Sequence, residues 1–232
     1  VEASQIYAEK VGTDTGERSL LFPTFPVMTQ VCTRSASHLI TCSSAAATAL
    51  ATGEKTTNYV IGMDAKKQHG LKSLARQLKG KGYKIGIITS ASIDHATPGG
   101  FYASQPDRSM YYEIGVDAAN SGFDFFGGAG LLQPRSKRNA SAPCLYDLFH
   151  QKGYTMYRGM DAYNRSHVKD KVLLFPTDTV SGSLKYALDR SEKDLGLPDL
   201  TKACLDNFTE TAKKGFFMMV AVSYTHLRAH ET

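Results

Sequence analysis

Four times in 232 residues an amphipathic helical stretch ends at glycine and gives way to a short run that is apolar on both faces. Leu71, Leu74, Ala75 and Leu78 fall at i, i+3, i+4 and i+7, one stripe of a helix. Gly80 and Gly82 end it, and Tyr83 to Thr89 (YKIGIIT) reads as a buried strand. A helix from about Arg108 to Ala119 stops at Gly122 before Phe123 to Phe126, and another from Leu145 to Lys152 stops at Gly153 before YTMY. Leu200, Ala203, Cys204, Phe208 and Ala212 share a helical face, Gly215 ends that helix, and Phe216 to Val220 (FFMMV) is strand-like. A strand apolar on both faces has to be covered on both. The alternation therefore predicts an α/β three-layer sandwich, a mostly parallel central sheet with helices on either side. Sites in such sheets form where strands end and lead into helices.

Composition excludes several other classes. With 42% hydrophobic and 21% charged residues the chain can build a core, which a disordered, collagen-like or coiled-coil sequence could not do in this form. No apolar run approaches the ~18–20 residues of a membrane-spanning helix. The net charge is +5, but the basic residues are scattered. Their densest cluster, Arg135, Lys137 and Arg138, has no interleaved aromatic residues for base stacking, so no nucleic-acid partner is expected. Cys32, Cys42, Cys144 and Cys204 show no C-x-x-C spacing, which leaves zinc-ribbon and thioredoxin chemistry unsupported.

Two loops are chemically rich. In the first, Thr41, Cys42, Ser43 and Ser44 precede an alanine-rich run, AAATALATG, that favours a helix ending at Gly53. Hydroxyls at a helix start are commonly caps. They can also be nucleophiles, held where free N–H groups and the helix dipole favour an anion, though a serine then needs a base or a metal to activate it. There is no glycine-rich Walker pattern. The second loop is TSASIDHATPGGFYASQPDR. Taken alone, His95 reads as a capping or surface histidine or as a ligand, Thr97 as a turn residue, and Arg108 as a solvated arginine at a helix start.

The segment Thr41 to Asp64, TCSSAAATALATGEKTTNYVIGMD, resembles the nucleophile segment of the alkaline phosphatase family. Ala47-Thr48-Ala49, Thr52-Gly53-Glu54-Lys55-Thr56-Thr57-Asn58 and Ile61-Gly62-Met63-Asp64 fall in register without a gap. His95-Ala96-Thr97-Pro98 is similar to the family's second signature, D/H-A-T-P. The resemblance implies Ser43 as the phosphorylated nucleophile and Arg108 as the guanidinium that grips two non-bridging phosphate oxygens. It implies Thr97 and His95 at a third metal site, usually of magnesium, beside two zinc ions that activate the serine and stabilise the leaving oxygen. An imidazole in place of a carboxylate there favours a softer metal or a water-mediated contact. The activity implied is hydrolysis of small phosphomonoesters through a phosphoserine intermediate, with inorganic phosphate released. A homodimer and a periplasmic or extracellular location follow from the same resemblance. A phosphodiesterase or sulfatase-type hydrolase on the same scaffold is the neighbouring alternative, and a non-catalytic fragment the more distant one.

The sequence departs from the family's pattern in several places. The residue before the nucleophile is commonly an Asp that orients the arginine, and here it is Cys42. Ser44 stands where Ala is usual. The upstream G-D-G-M-G metal-ligand motif is absent, and VEASQIYAEK resembles the helix that follows it. The expectation is an N-terminal-half fragment, 1–220, whose zinc ligands lie mostly elsewhere and which is inactive by itself. The final SYTHLRAHET resembles translated sequencing-adapter read-through, so 221–232 is expected to be a non-native tail and the i, i+4 pair His226 and His230 is not taken as a zinc site. The motifs are dense over 35–130, return at Gly215 to Val220, and are absent from 131–200. The sequons at Asn139, Asn164 and Asn207 are attributed to chance.

Overall fold

The computed structural model describes residues 25–27, 29–166, 170–178, 182–186 and 189–222. Contacts divide the chain into 1–32 and 33–232, and the larger unit carries every element named below. The amino-terminal helix expected from VEASQIYAEK and the histidine pair at 226 and 230 lie outside the described residues.

The apolar run after Gly82 becomes β1 (Lys84–Thr89), the strand around which the others are arranged. The alanine-rich helix α1 (Ser43–Thr52) and α2 (Leu74–Gly80) precede it, and the short α3 (Ala96–Gly99) follows. Then come α4 (Tyr111–Asn120), β2 (Phe125–Gly127), α5 (Leu145–Gln151), β3 (Thr155–Arg158) and α6 (Met160–Asn164). The series closes with β4 (Val172–Phe175), α7 (Leu197–Thr211) and β5 (Phe216–Ala221). All strand pairs are parallel and the order across the sheet is β3-β4-β2-β1-β5, so every strand-to-strand connection is a helical crossover.

Residues alternate between the two faces with the strand period of two. Ile85, Ile87, Phe126, Leu173, Phe175 and Met219 pack with Ala75 of α2, Ile114 and Ala118 of α4 and Phe149 of α5. Ile88, Phe125, Val172 and Leu174 pack with Tyr163 of α6 and with Leu200, Ala203, Cys204 and Phe208 of α7. The mostly parallel, doubly covered sheet read from the sequence is thus the observed one. No helix among the described residues is long and apolar enough to cross a membrane.

Three local differences have physical causes. The helix expected from Arg108 starts at Tyr111, because the Asp107 carboxylate accepts from the N–H and hydroxyl of Ser109 and holds a turn there. The strand β4 and the one-turn α6 fall in the stretch without motifs; VLLF is fully buried but too short, and too poorly flanked, to declare itself. β5 extends through Ala221, which lies opposite Thr89, one residue past the expected boundary at Val220. Asn207 is buried and donates to the Tyr163 hydroxyl, which fits the chance reading of its sequon. Arg135, Lys137 and Arg138 are exposed.

Candidate active site at the start of the alanine-rich helix

Small side chains put α1 where it is. Gly100, just beyond α3, approaches α1 so closely that an added Cβ would lie 2.8 Å from Ala47 Cβ and 2.9 Å from the Ala47 carbonyl carbon. The helix bearing Ser43 is thereby seated on the helix that begins after His95. Gly53, with φ +81, ends α1 and returns its N–H to the Ala49 carbonyl, as the sequence predicts.

The residues between α1 and α2 lock this arrangement. Thr48 Oγ1 donates to the Ser44 carbonyl at 2.8 Å and accepts from Gly62 N–H at 2.9 Å. Gly62 has φ +57, and a Cβ there would sit 1.9 Å from the Ala103 carbonyl oxygen, so only glycine fits. Its neighbour Ile61 pairs antiparallel with Gln105, which fixes the approach to Arg108. The Ala-Thr-Ala and Ile-Gly-x-Asp signatures therefore act here as a weld.

Cys42 is the N-cap of α1, and its side chain makes no capping hydrogen bond. Its Sγ instead accepts from Tyr59 N–H at 3.1 Å and lies 3.0 Å from Ser44 Oγ. Burial works against a charged sulfur, but the Ser44 hydroxyl and the Tyr59 N–H outweigh it, leaving the thiol pKa below its ordinary value. Ser43 is half-buried in the first turn of α1, and none of these bonds uses its hydroxyl. Asn58 accepts from Cys42 N–H at 3.2 Å and donates to the Ile40 carbonyl at 3.1 Å, gripping the chain on both sides of Thr41.

His95 lies six residues beyond the carboxyl end of β1, in the position a parallel sheet reserves for chemistry. Arg108 is half-buried; its N–H donates to the Tyr59 carbonyl at 2.8 Å and its guanidinium reaches His95 Nε2 at 3.4 Å. Burial first, and the Arg108 charge second, depress the His95 pKa to about 4, so the ring is neutral at ordinary pH. Its Nδ1 is buried without a hydrogen-bond partner. A guanidinium only donates, so in the contact with Arg108 Nε2 carries the lone pair and Nδ1 the ring proton; a divalent cation would take Nε2 in place of Arg108. Thr97, in the one-turn α3 directly after His95, is half-buried. Among the described residues no three His, Cys, Asp or Glu side chains converge, so these residues alone do not make a two-zinc centre.

Of the four residues picked from the sequence, Arg108 and His95 are in direct contact, Thr97 follows on the same turn, and Ser43 joins them through Cys42 and Tyr59. Asn58, Tyr59 and Thr48 were not singled out individually. Asn58 and Thr48 lie inside quoted motifs, but their partners are 14 to 18 residues away and leave no local trace.

The family model described as alkaline phosphatase matches residues 1–124. Alkaline phosphatase 4 of Bacillus subtilis is 34% identical over 203 residues, which are 83% of this chain and 41% of that protein. The crystal structure of Thermus thermophilus alkaline phosphatase has a TM-score of 0.68 at 28% identity, over 81% of this chain and 39% of its own. A variant of TAB5 alkaline phosphatase with Mg bound in its M3 site has a TM-score of 0.68 at 22% identity, over 82% of this chain and 52% of its own, and speaks for the fold alone. The chain spans about two fifths of the length of curated relatives it matches, among them alkaline phosphatases of Bacillus subtilis and Schizosaccharomyces pombe. The likeness to solved structures continues well past residue 130, where the motifs thin out.

Proposed function

Because the chain belongs to the alkaline phosphatase family, we propose that it supplies the nucleophile-bearing part of a metal-dependent phosphomonoester hydrolase. Ser43 Oγ attacks phosphorus in line, the alcohol departs, and water then hydrolyses the phosphoserine to inorganic phosphate. The free N–H groups at the start of α1 favour the charge on the phosphoryl oxygens. Arg108 holds two of the non-bridging oxygens, a task suited to a planar guanidinium and available only on a monoester. The observation that carries this reading is the path from the cap of α1 through Cys42 Sγ and the Tyr59 peptide to Arg108, and on to His95.

His95, neutral, would hold a divalent cation through Nε2 together with the Thr97 hydroxyl, with Arg108 released from that nitrogen to the phosphoryl oxygens. Magnesium is the family's usual choice there, while an imidazole in place of a carboxylate favours a softer metal or a water-mediated contact. Such a cation supplies charge neutralisation for the transferring phosphoryl group. The two zinc ions would draw their ligands mostly from outside the described residues. Small phosphomonoesters and inorganic phosphate are the partners proposed, with a homodimer and a periplasmic or extracellular location by family resemblance and no nucleic acid.

The test is turnover of p-nitrophenyl phosphate by the full-length protein that carries this chain, supplied with Zn2+ and Mg2+. Ser43→Ala should abolish turnover and the acid-trapped radiolabel on the Ser43 peptide. Arg108→Ala should lower kcat/KM roughly a hundredfold. Unchanged activity in Ser43→Ala would overturn the reading. A preference for bis(p-nitrophenyl) phosphate would move it to a diesterase on the same scaffold and remove Arg108 from its role.

A further inference from the structure

Among the described residues two carboxylates are buried, Asp124 and Asp94. Asp124 has the ammonium groups of Lys79 and Lys84 beside it. Asp94, with 0% of its surface exposed, pairs with no cationic side chain among the described residues. Taking a carboxylate out of water without a cation is costly, so its hydrogen bonds must offset that. They go to backbone: both oxygens accept from Leu132 N–H at 2.9 Å, and Oδ2 also accepts from Gln133 N–H at 3.0 Å. These donors are 38 and 39 residues away, in the turn that follows β2. The bonds fall where backbone pairing runs out. Past the ends of β1 and β2 the two loops stay joined by Ala129 N–H to the Ala91 carbonyl and by Ile93 N–H to the Gly130 carbonyl, each at 2.9 Å. Asp94 comes next, and its side chain carries the pairing on to Leu132 and Gln133. His95 follows it. Its N–H closes the turn on the Ser92 carbonyl at 3.1 Å, and its ring meets the Arg108 guanidinium at 3.4 Å. The buried carboxylate thus fixes the peptide from which the imidazole projects.

We propose that Asp94 is a positioning residue that sets the His95 imidazole against Arg108 by clamping the loop after β1 to the turn after β2. The proposal rests on the reading of His95 as a cation ligand, because a ligand's affinity depends on how firmly its ring is held. Asp94 touches neither substrate nor cation in it. A carboxylate suits the task, since two successive N–H donors need acceptors and an amide would turn its own N–H2 group toward one of them. Without the side chain the Leu132 and Gln133 N–H groups lose their acceptor, and the tie between the two loops nearest to His95 is gone.

The experiment follows Mn2+ binding to the zinc-loaded full-length protein by electron paramagnetic resonance, beside thermal melts and p-nitrophenyl phosphate turnover. Asp94→Ala should weaken Mn2+ binding about tenfold, the usual effect of losing a group that orients a ligand. Asp94→Asn keeps one oxygen for the two donors and should weaken it about threefold; this variant carries the test if Asp94→Ala does not fold. The ring itself is read with 15N-labelled histidine in the metal-free protein. The parent should show His95 with its proton on Nδ1, and the Asp94 variants a mixture of tautomers as the Arg108 contact loosens. Asp124→Asn, altering the other buried carboxylate at the amino edge of the sheet, should lower the melting temperature and leave both readouts as in the parent. Unchanged Mn2+ affinity in the Asp94 variants, an unchanged tautomer, or an equal loss in Asp124→Asn would overturn the proposal and leave the phosphatase reading standing. If the expected losses appear in a protein without turnover, the phosphatase reading fails and the positioning of a cation ligand holds. A parent that binds no Mn2+ beyond its zinc sinks the proposal at any level of turnover.

Discussion

At His95 the structure holds a titratable ring in its uncharged form, and that has a cost as the pH falls. Burial, reinforced by the Arg108 charge, lowers the pKa of the folded ring to about 4, whereas an unfolded histidine protonates near 6.5. Between those values the unfolded chain binds a proton that the folded chain refuses, so folding stability falls as pH drops from about 6.5 toward 4. The contribution at stake is about 3 kcal/mol at most for a shift of this size. Urea unfolding of the metal-free protein at pH 7 and at pH 5 should show it, and His95→Asn should flatten that part of the profile. Arg108→Met should raise the His95 pKa only part of the way, since burial is the larger cause. A ring whose proton resonances titrate near pH 6.5 in the folded protein would contradict the neutral site described above.

At the level of elements, the seat of α1 on α3 depends on the missing side chain at Gly100. Its backbone is ordinary helical, so Gly100→Ala is not strained by conformation. Space is the obstacle: the new Cβ would lie within 3.1 Å of three Ala47 atoms, two of them backbone. Gly100→Ala should therefore push Ser43 and His95 apart, with about 1–3 kcal/mol of destabilisation and a disproportionate loss of phosphate affinity. Adding Ala47→Gly removes one of the three contacts and should rescue only part of both, as read by thermal melts and dialysis. This dependence shows how the sequence was legible and where it stopped being so. The alternation of helix, glycine and apolar run was enough for the layered fold, because burial on two faces demands a local pattern. Ser43, His95, Thr97 and Arg108 could be picked out because their residue types carry chemistry at fixed spacings. Gly100 reads only as part of a turn, Asn58 only as a motif letter, and β4 only as four apolar residues, since in each case the partner that gives it meaning is remote in the chain.

For the whole molecule, the fold separates what holds the sheet together from what carries the site. At the amino edge, the buried Asp124 carboxylate pairs with Lys79 of α2 and Lys84 of β1 and accepts from Ile85 N–H. Its own N–H and carbonyl bond the Ile85 carbonyl and Val172 N–H, so one residue ties β1, β4 and α2 in front of β2. Lys84 extends the cluster to Asp170, ahead of β4. Asp124→Asn keeps the volume and an acceptor for Ile85 but leaves both ammonium groups without their buried partner. The lysine side chains are 32% and 21% exposed, so water recovers part of the loss. The cost should be about 2 kcal/mol, below that of a fully buried pair. For a domain of this size that corresponds to a fall in melting temperature of about 4–8 °C. Phosphate affinity should not follow it down. The site lies past the carboxyl ends of the strands, and the rigid Ile85 to Ile88 ladder stands between the two edges. Gly100→Ala is the counter-case, losing affinity out of proportion to stability. Measured side by side, the two variants should separate on a plot of melting temperature against phosphate affinity. If Asp124→Asn weakened binding as much as it lowered the melting temperature, the two edges of this sheet would be coupled and the separation argued here would be wrong.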